Sequence, residues 1–351
     1  MNIALILLYS SISFLISVLF FPVFIKLLRQ WKILDTPSEH KIHDSFIPSM
    51  GGISILLGVI LTLLMSLPFQ EWIKLKYFFI CIGLMFLIGL RDDVLALNPK
   101  QKLISQFLPV FVIVFLDGSV LNSSYGMVVP VMFSPLLSWT FSIVTFVIIT
   151  NAYNLIDGVD GLAGMIGLLC LLCFGFWFYS IGDNSISLIA LCFAGSLVAF
   201  LFFNWQPSRI FMGDTGALMI GLLLSYLAVR FINENHGLPE EVPARFRSSI
   251  GTAVCILIIP IFDTIRIIIL RIRKMQSPFR ADRNHLHHQF LNLGYSHAQT
   301  VLILGAINIF FILLAWCLKG EGDVLILSSA TAICLVINFI LKRAQARLVR
   351  I

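Results

Sequence analysis

Long apolar runs follow one another along almost the whole chain, separated by short polar segments. A helix needs roughly 20 residues to cross a hydrocarbon core about 30 Å thick. Eleven runs approach or exceed this length and predict membrane-spanning helices, at about 3–28, 51–67, 77–90, 103–116, 136–150, 162–181, 185–203, 216–231, 250–270, 300–318 and 324–341. Residues 117–133 contain Gly, Ser, Asn and Pro and predict an extramembrane loop.

Composition supports the same fold class. The chain is 59% apolar and 12% charged, which excludes a soluble domain and predicts an all-α polytopic membrane protein with one domain, residues 1–351. The net charge of +6 is typical of cytoplasmic loops, and we expect no nucleic-acid partner. Most of the seven cysteines lie inside apolar runs, and the Cys170/Cys173 pair has no second cysteine pair or histidine beside it.

Lysine and arginine set the predicted orientation. With the amino terminus outside, seventeen of the twenty-four basic residues fall in inner loops, so the positive-inside rule predicts a cytoplasmic carboxyl terminus. The same assignment places every unusual polar cluster on the cytoplasmic face, at 35–52, 91–102, 151–161, 204–216 and 278–288. We therefore expect one active site, built from cytoplasmic loops and helix ends.

The segment between the fifth and sixth runs carries four polar side chains at every third position, namely Asn151, Asn154, Asp157 and Asp160. On a helix this spacing forms one slowly drifting stripe. Gly158 and Gly161 allow close approach of backbone or ligand. A turn at the membrane edge has a similar composition, so the segment alone leaves both interpretations open.

Three further groups have the chemistry of a phosphate and metal site. Asp92 and Asp93 end the third run, and adjacent carboxylates at a membrane edge are typical Mg²⁺ ligands, although a solvated helix end also explains them. Lys102 opens the next run and can meet a phosphate as a point charge. Asp214 begins the eighth run between two glycines, as an N-cap or as a ligand.

The last polar segment is basic and rich in imidazole. It contains Arg280, Arg283, His285, His287 and His288, and two arginines can hold phosphate oxygens in a bidentate manner. Zinc is disfavoured because neither an HExxH motif nor a cysteine partner accompanies the histidines. Asp263 and Arg266 lie three residues apart in the ninth run and form either a structural pair or a wall of the site.

Together these segments resemble the polyprenyl-phosphate N-acetylhexosamine-1-phosphate transferase superfamily. The resemblance covers nearly the whole chain and follows the family's motif order: Asp-x-Pro, Lys-x-His and Pro-x-x-Gly-Gly within 35–52, Asp92-Asp93, Asn-x-x-Asn-x-x-Asp-Gly-x-Asp-Gly-Leu at 151–162, Phe-Met-Gly-Asp-Thr-Gly at 211–216, and Pro-Phe-x-x-Asp-Arg-x-His-x-His-His at 278–288. The last motif is similar to the bacterial branch that uses UDP-N-acetylglucosamine. His40 and Ala96 depart from the family's usual Arg and acidic residue.

The resemblance implies a role for each matching residue. Asn154 and Asp214 would bind Mg²⁺, with Mn²⁺ as a substitute. Asp92, Asp93, Asp157 and Asp160 would form the catalytic acidic group. The substrates would be held by Lys41, His43, Lys102, Asn151, Arg280, Arg283, His285, His287 and His288.

The implied reaction is transfer of N-acetylglucosamine-1-phosphate from UDP-N-acetylglucosamine to undecaprenyl phosphate, with release of UMP. This is the first membrane step of an envelope polysaccharide such as O-antigen, on the cytoplasmic face of the bacterial inner membrane. The expected partners are these two substrates and membrane lipids, and the family allows a homodimer. Another UDP-amino sugar, such as a 6-deoxy sugar or UDP-MurNAc-pentapeptide, is the alternative donor. A secondary transporter fits less well because no repeated halves are apparent, and an intramembrane aspartyl protease fits less well because Phe211 takes the place of the first glycine in a Gly-x-Gly-Asp motif around Asp214.

Overall fold

The computed structural model describes residues 1–31, 34–35, 47–127, 129, 131–276 and 284–348, with the backbone alone at 34, 35 and 348. These residues form fourteen α-helices, one π-helical turn at Val112–Leu116 and one antiparallel pair of two-residue strands, β1 (Leu34–Asp35) and β2 (Ile47–Pro48). The helices are α1 (Ile3–Gln30), α2 (Gly52–Ser66), α3 (Phe69–Lys74), α4 (Lys76–Val94), α5 (Pro99–Phe111), α6 (Pro135–Leu155), α7 (Leu162–Ser180), α8 (Asn184–Asn204), α9 (Gly213–Gly237), α10 (Ser249–Ile256), α11 (Ile258–Arg273), α12 (Leu286–Asn292), α13 (His297–Cys317) and α14 (Asp323–Leu348).

The protein is an all-α polytopic membrane protein, apart from the short β1–β2 pair. Across the described ranges, eight helices are long and apolar enough to cross a membrane, and the bent pair α10–α11 raises this number to nine. The two remaining predicted runs are helical as well, as α2 and α4. Each of the eleven predicted runs therefore coincides with a helix or a helix pair, while the number of spans stays a prediction.

Three consecutive helices form the centre of the bundle. In their apolar stretches, 94% of α9, 78% of α8 and 61% of α7 is buried, against 17% of α1 and 22% of α14. Lipid tails are as apolar as leucine, so packing among membrane helices depends on small residues and interhelical hydrogen bonds. Ser13 and Ser17 of α1 both lie 2.8 Å from the Ser196 hydroxyl of α8, which fixes these two helices together.

The ninth predicted run is broken into α10 and α11, which meet at 87°. Pro260 has no N–H to donate to the carbonyl of Ile256, four residues earlier. Within a membrane that carbonyl needs another donor. The Cys170 thiol at 3.2 Å and the Asn308 amide at 3.3 Å supply it, so the break is stabilised from α7 and α13. The predicted span at 250–270 is thus formed by two helices that meet at Leu257, three residues before this proline.

Glycine at the end of α4 sets how closely α4 approaches α9. A Cβ at Gly89 would fall on the backbone carbonyl of Asp214, whereas a Cβ at Gly83, on the same helix, would meet nothing within 4 Å. The close approach brings the acidic end of α4 to the first turn of α9.

We predict that Gly89→Ala destabilises the folded protein by about 1–3 kcal/mol, because backbone atoms of α9 must move to admit the methyl group. Gly83→Ala is the matched control and should leave the stability unchanged or raise it by up to about 1 kcal/mol, since alanine favours helix. Thermal unfolding of the two purified variants in detergent measures the difference. Equal melting temperatures would contradict the close α4–α9 contact.

Candidate active site

The described parts of all five polar segments meet at one end of the bundle. The backbone N–H groups of Gly51 and Gly52 bond the carbonyls of Phe211 and Met212 at 2.9 and 3.2 Å. Phe211 in turn donates its N–H to the carbonyl of Pro48 at 2.9 Å. The first and fourth segments are therefore joined through backbone. The second and third attach to the fourth through side chains, and the fifth packs on the third.

Lys102 lies at the centre of the acidic group. Its ammonium is 3.0 Å from Asp92 Oδ2 and also contacts Asp214 Oδ1. Asp214 Oδ1 accepts a second hydrogen bond, 2.5 Å long, from the amide of Asn154. Asp92 Oδ1 accepts the N–H of Leu97 at 2.7 Å, which folds the α4–α5 loop back onto the carboxylate. The predicted residues Asp92, Lys102, Asn154 and Asp214 thus form one connected cluster.

Asp93 faces a different set of donors. Its carboxylate accepts the N–H groups of Asp214 and Thr215, each at 2.9 Å, and the Thr215 hydroxyl at 2.5 Å. These N–H groups belong to the first turn of α9, whose own N-cap residue, Met212, makes no side-chain cap. Asp93 therefore caps α9 from another helix, and the Ser49 hydroxyl adds a contact of 3.3 Å. Its predicted catalytic role stays a prediction.

Two unusual backbone conformations shape the wall beside Asp93. Met50 has φ 81° and Gly213 has φ 70°, and only glycine adopts the left-handed region without cost. A Cβ at Gly213 would lie 2.6 Å from both Asp93 Oδ2 and the Ser49 hydroxyl. The glycine before Asp214 is thus required by conformation and by space.

The donor set fits Mg²⁺ of the kind that binds substrate phosphates. Among the described residues no group of three His, Cys, Asp or Glu side chains is arranged to hold a metal ion. Mg²⁺ usually takes one or two carboxylates and completes its shell with waters and phosphate oxygens. Asp92 and Asp214 already share one cation, the Lys102 ammonium, and the Asn154 amide offers a further oxygen.

The predicted Asn151 contacts a residue that the sequence analysis did not single out. Gln106 of α5 is fully buried, and its amide pairs with that of Asn151 through bonds of 2.7 and 3.3 Å. A glutamine inside the apolar run 103–116 was the available signal. The pair joins α5 to α6 one turn before Asn154.

The remainder of the 151–161 segment is a turn held by two helices. Asn204, at the end of α8, accepts the N–H of Gly161 at 2.7 Å. Asp160 is buried and lies 3.4 Å from Nδ1 of His297, at the start of α13. Asp157 donates its N–H to the carbonyl of Asn154 at 3.3 Å. The helical stripe predicted for this segment therefore ends near Asn154, where the turn begins.

The three histidines form a row beside this turn. The rings of His285 and His287 are parallel, with centroids 5.6 Å apart, and the ring of His288 lies 4.3 Å from that of His287. A Cβ at Gly158 would be 2.6 Å from His287 Nε2, so the row packs directly on the turn. Burial, reinforced by the neighbouring His288, lowers the pKa of His287 to about 3.

The other predicted contacts fall into two groups. Asp263 and Arg266 do pair, at 2.8 Å, and both are buried beside the histidine row. Lys41, His43, Arg280 and Arg283, and the divergent His40, lie outside the described residues.

The opposite end of the bundle also carries charge, which the sequence analysis did not anticipate. Arg230 lies 3.0 Å from Asp183 and 2.6 Å from Glu234. These residues line a cavity of about 710 Å³ together with Glu71, Lys74 and Asp117. None of the described residues of the five motif segments lines this cavity.

We predict that His287 makes the folded protein less stable at acidic pH. Its pKa is about 3 in the folded state against 6.5 for the free side chain, so the unfolded chain binds more protons between these values. The stabilisation is present above pH 6.5 and is lost as the pH falls towards 3. At about pH 5 the loss from this one group is on the order of 2 kcal/mol.

Thermal unfolding at about pH 7.5 and about pH 5 measures this effect. His287→Gln should lower the pH dependence of the melting temperature, because glutamine does not titrate. Gln289→Ala, in the same short helix and also buried, is the control and should keep the wild-type dependence. An unchanged dependence in His287→Gln would contradict the prediction.

Comparison with known proteins identifies the family of this chain. Residues 75–232 match the family model of glycosyl transferase family 4. The chain is 31% identical to the probable undecaprenyl-phosphate N-acetylglucosaminyl 1-phosphate transferase of Bacillus subtilis, over 82% of this chain and 77% of that protein. It is 32% identical to the decaprenyl-phosphate N-acetylglucosaminephosphotransferase of Mycolicibacterium smegmatis, over 76% and 71%.

A relative with lower sequence identity has the same kind of name. The undecaprenyl-phosphate alpha-N-acetylglucosaminyl 1-phosphate transferase of Escherichia coli K12 is 25% identical over 83% of this chain and 78% of its own. The matched family region includes Asp92, Asp93, Lys102, Asn154 and Asp214, the residues that the structure brings into one cluster. The chain belongs to glycosyl transferase family 4.

Proposed function

We propose that this protein transfers N-acetylglucosamine-1-phosphate from UDP-N-acetylglucosamine to undecaprenyl phosphate. An oxygen of the lipid phosphate attacks the β-phosphorus of the nucleotide sugar. The bond from that phosphorus to the bridging oxygen breaks, and UMP leaves with the α-phosphate. The observation that carries the proposal is the Lys102–Asp92–Asp214 cluster at one end of the bundle, in a chain whose relatives are named as such transferases.

Charge is the main obstacle to this reaction, because both reactants are anionic. Lys102 offsets part of the negative charge of Asp92 and Asp214 and presents an ammonium where a lipid phosphate can reach it. Mg²⁺, held by Asp214, Asn154 and Asp92, would supply further charge neutralisation at the diphosphate. A phosphate monoester is already largely ionised near neutral pH, so Asp92 orients the nucleophile more than it removes a proton from it.

The lipid substrate fits the outer surface of α5. Lys102 points into the cluster, while Ile104, Leu108 and Phe111 are 68%, 57% and 52% exposed along the same helix. Positions spaced by four and three residues share one helix face. Lys102 projects from the opposite side of α5, about 200° round the helix from Ile104. An isoprenoid tail can therefore lie on this apolar face, with its phosphate passing round the amino end of α5 to meet Lys102.

The assay that tests the proposal is UMP release by the purified protein with undecaprenyl phosphate, Mg²⁺ and one donor at a time. We expect release with UDP-N-acetylglucosamine, loss of release with EDTA, and little release with UDP-N-acetylgalactosamine or UDP-MurNAc-pentapeptide. Lys102→Met should lower the rate by about 100-fold or more, since it removes a charge at the reacting phosphates.

Lys74→Met is the matched control for this variant. Lys74 is also paired with an acid, Glu71 at 2.5 Å, but it lies at the opposite end of the bundle, so its loss should leave the rate within about twofold. Release of UMP with a different donor would correct the proposed donor substrate and would still support the proposed reaction type. No release with any donor would refute the proposed function.

We also propose that the protein spans the bacterial inner membrane eleven times, with its amino terminus outside and the cluster facing the cytoplasm. The distribution of lysine and arginine supports this orientation. Cys317 is exposed at the end of α13 that is remote from the cluster, and Lys100 is exposed beside the cluster.

A membrane-impermeant maleimide therefore tests the orientation in intact cells whose outer membrane is permeable to it. We expect labelling of Cys317 in the wild-type protein. We expect no labelling of Lys100→Cys in a Cys317→Ser background until the inner membrane is opened. The reverse pattern would show that the cluster faces outward.

A further inference from the structure

Asp263 holds the start of the histidine row from a neighbouring helix. It lies on α11 and is 1% exposed. Its Oδ2 is 2.8 Å from His285 Nδ1, and its Oδ1 accepts the Leu286 N–H at 2.9 Å. The Arg266 guanidinium, 2.8 Å from Oδ1, also donates to the carbonyl of Asn284. Residues 284–286 are thus attached to α11 through both backbone and side chain.

The carboxylate also decides which nitrogen of His285 carries the proton. A carboxylate only accepts hydrogen bonds, so the neighbouring Nδ1 must donate and therefore bears hydrogen. Nε2 is left as the nitrogen that can interact with another group. A buried histidine whose ring is held in this way has one orientation and one tautomer, as in carboxylate–histidine pairs that orient metal-bound or catalytic imidazoles.

His285 is connected to the acidic cluster through a short series of contacts. Its ring stacks parallel on that of His287, which packs against Gly158. Gly158 lies four residues after Asn154, whose amide bonds Asp214. Displacement of His285 would therefore be transmitted to the turn beside the cluster.

We propose that Asp263 is a positioning residue, which acts through His285 to orient the imidazole row towards the UDP-sugar. This inference rests on the proposed transferase function. A simple Asp263–Arg266 ion pair would neutralise both charges without the imidazole. Because the carboxylate also bonds His285 and Leu286, it holds the start of the histidine row in place in addition to pairing with Arg266.

A double-mutant cycle tests whether Asp263 acts through His285. Asp263→Asn, a substitution of equal size, should lower kcat/KM for UDP-N-acetylglucosamine by roughly 10- to 100-fold. The KM for undecaprenyl phosphate should stay within about twofold, because the lipid phosphate is assigned to Lys102. In a His285→Ala background, Asp263→Asn should lower kcat/KM by less than about threefold, because the imidazole that Asp263 positions is already absent. An equal cost in both backgrounds would overturn the proposal.

Asp323→Asn is the matched control for a structural effect. Asp323 is 3% exposed and, like Asp263, it accepts both a side-chain and a backbone donor, from Ser248 at 2.6 Å and Gly251 at 2.5 Å. It lies at the end of the bundle remote from the histidines. We expect Asp323→Asn to lower the melting temperature while kcat/KM stays within about twofold. A comparable loss of kcat/KM in the control would assign the effect of Asp263→Asn to general destabilisation.

Hydrogen–deuterium exchange separates failure of this inference from failure of the proposed function. Asp263→Asn should raise exchange in the peptide that covers 284–292, and Asp323→Asn should not. If the wild-type protein released no UMP, the transferase proposal would fail, while exchange would still show whether Asp263 holds the row. Unchanged exchange in Asp263→Asn, with activity intact, would overturn the positioning role alone.

Discussion

The ammonium of Lys102 is the group on which the acidic cluster depends. Asp92 and Asp214 carry like charges and lie at the edge of an apolar bundle, where uncompensated carboxylates are costly. Lys102 contacts both of them, and so it ties the end of α4, the start of α5 and the start of α9 together. The capping box of Asn98 and Gln101 at the start of α5 fixes the turn from which Lys102 projects. The active end of the bundle is thus organised by charge compensation more than by apolar packing.

The two adjacent acids, Asp92 and Asp93, have separate tasks. Successive residues of a helix point in directions about 100° apart, so neighbouring carboxylates cannot share one set of partners. Asp92 turns towards Lys102, and Asp93 turns towards the free N–H groups of α9. One acid therefore contributes to the charge centre, and the other holds the helix that carries Asp214 in register.

The apolar runs predicted the fold class, and the distribution of basic residues predicted that the polar segments lie together on one side. Both signals can be read locally along the chain. It did not predict the partners of individual side chains. Asp93 and Thr215 are 122 residues apart, and no period or spacing in the chain links them. Gln106 and the bend after Leu257 had local signals, a polar residue in an apolar run and Pro260, and closer attention to these would have found both. The pairing of Asp263 with His285 depends on that bend, because the bend sets the direction of α11. A straight ninth span would not have predicted this pairing.

The distribution of charge along α9 distinguishes a transferase from a secondary transporter. Asp214 and Arg230 mark its two polar ends, sixteen residues or about 24 Å apart on a helix. Between them the polar side chains are Thr215, Ser225 and Tyr226, and the helix is almost completely buried. A secondary transporter needs a polar site near the midplane that both sides reach in turn. The central helix is instead apolar at its middle and charged at its ends, an arrangement that suits one-sided chemistry on a lipid headgroup held at the membrane edge.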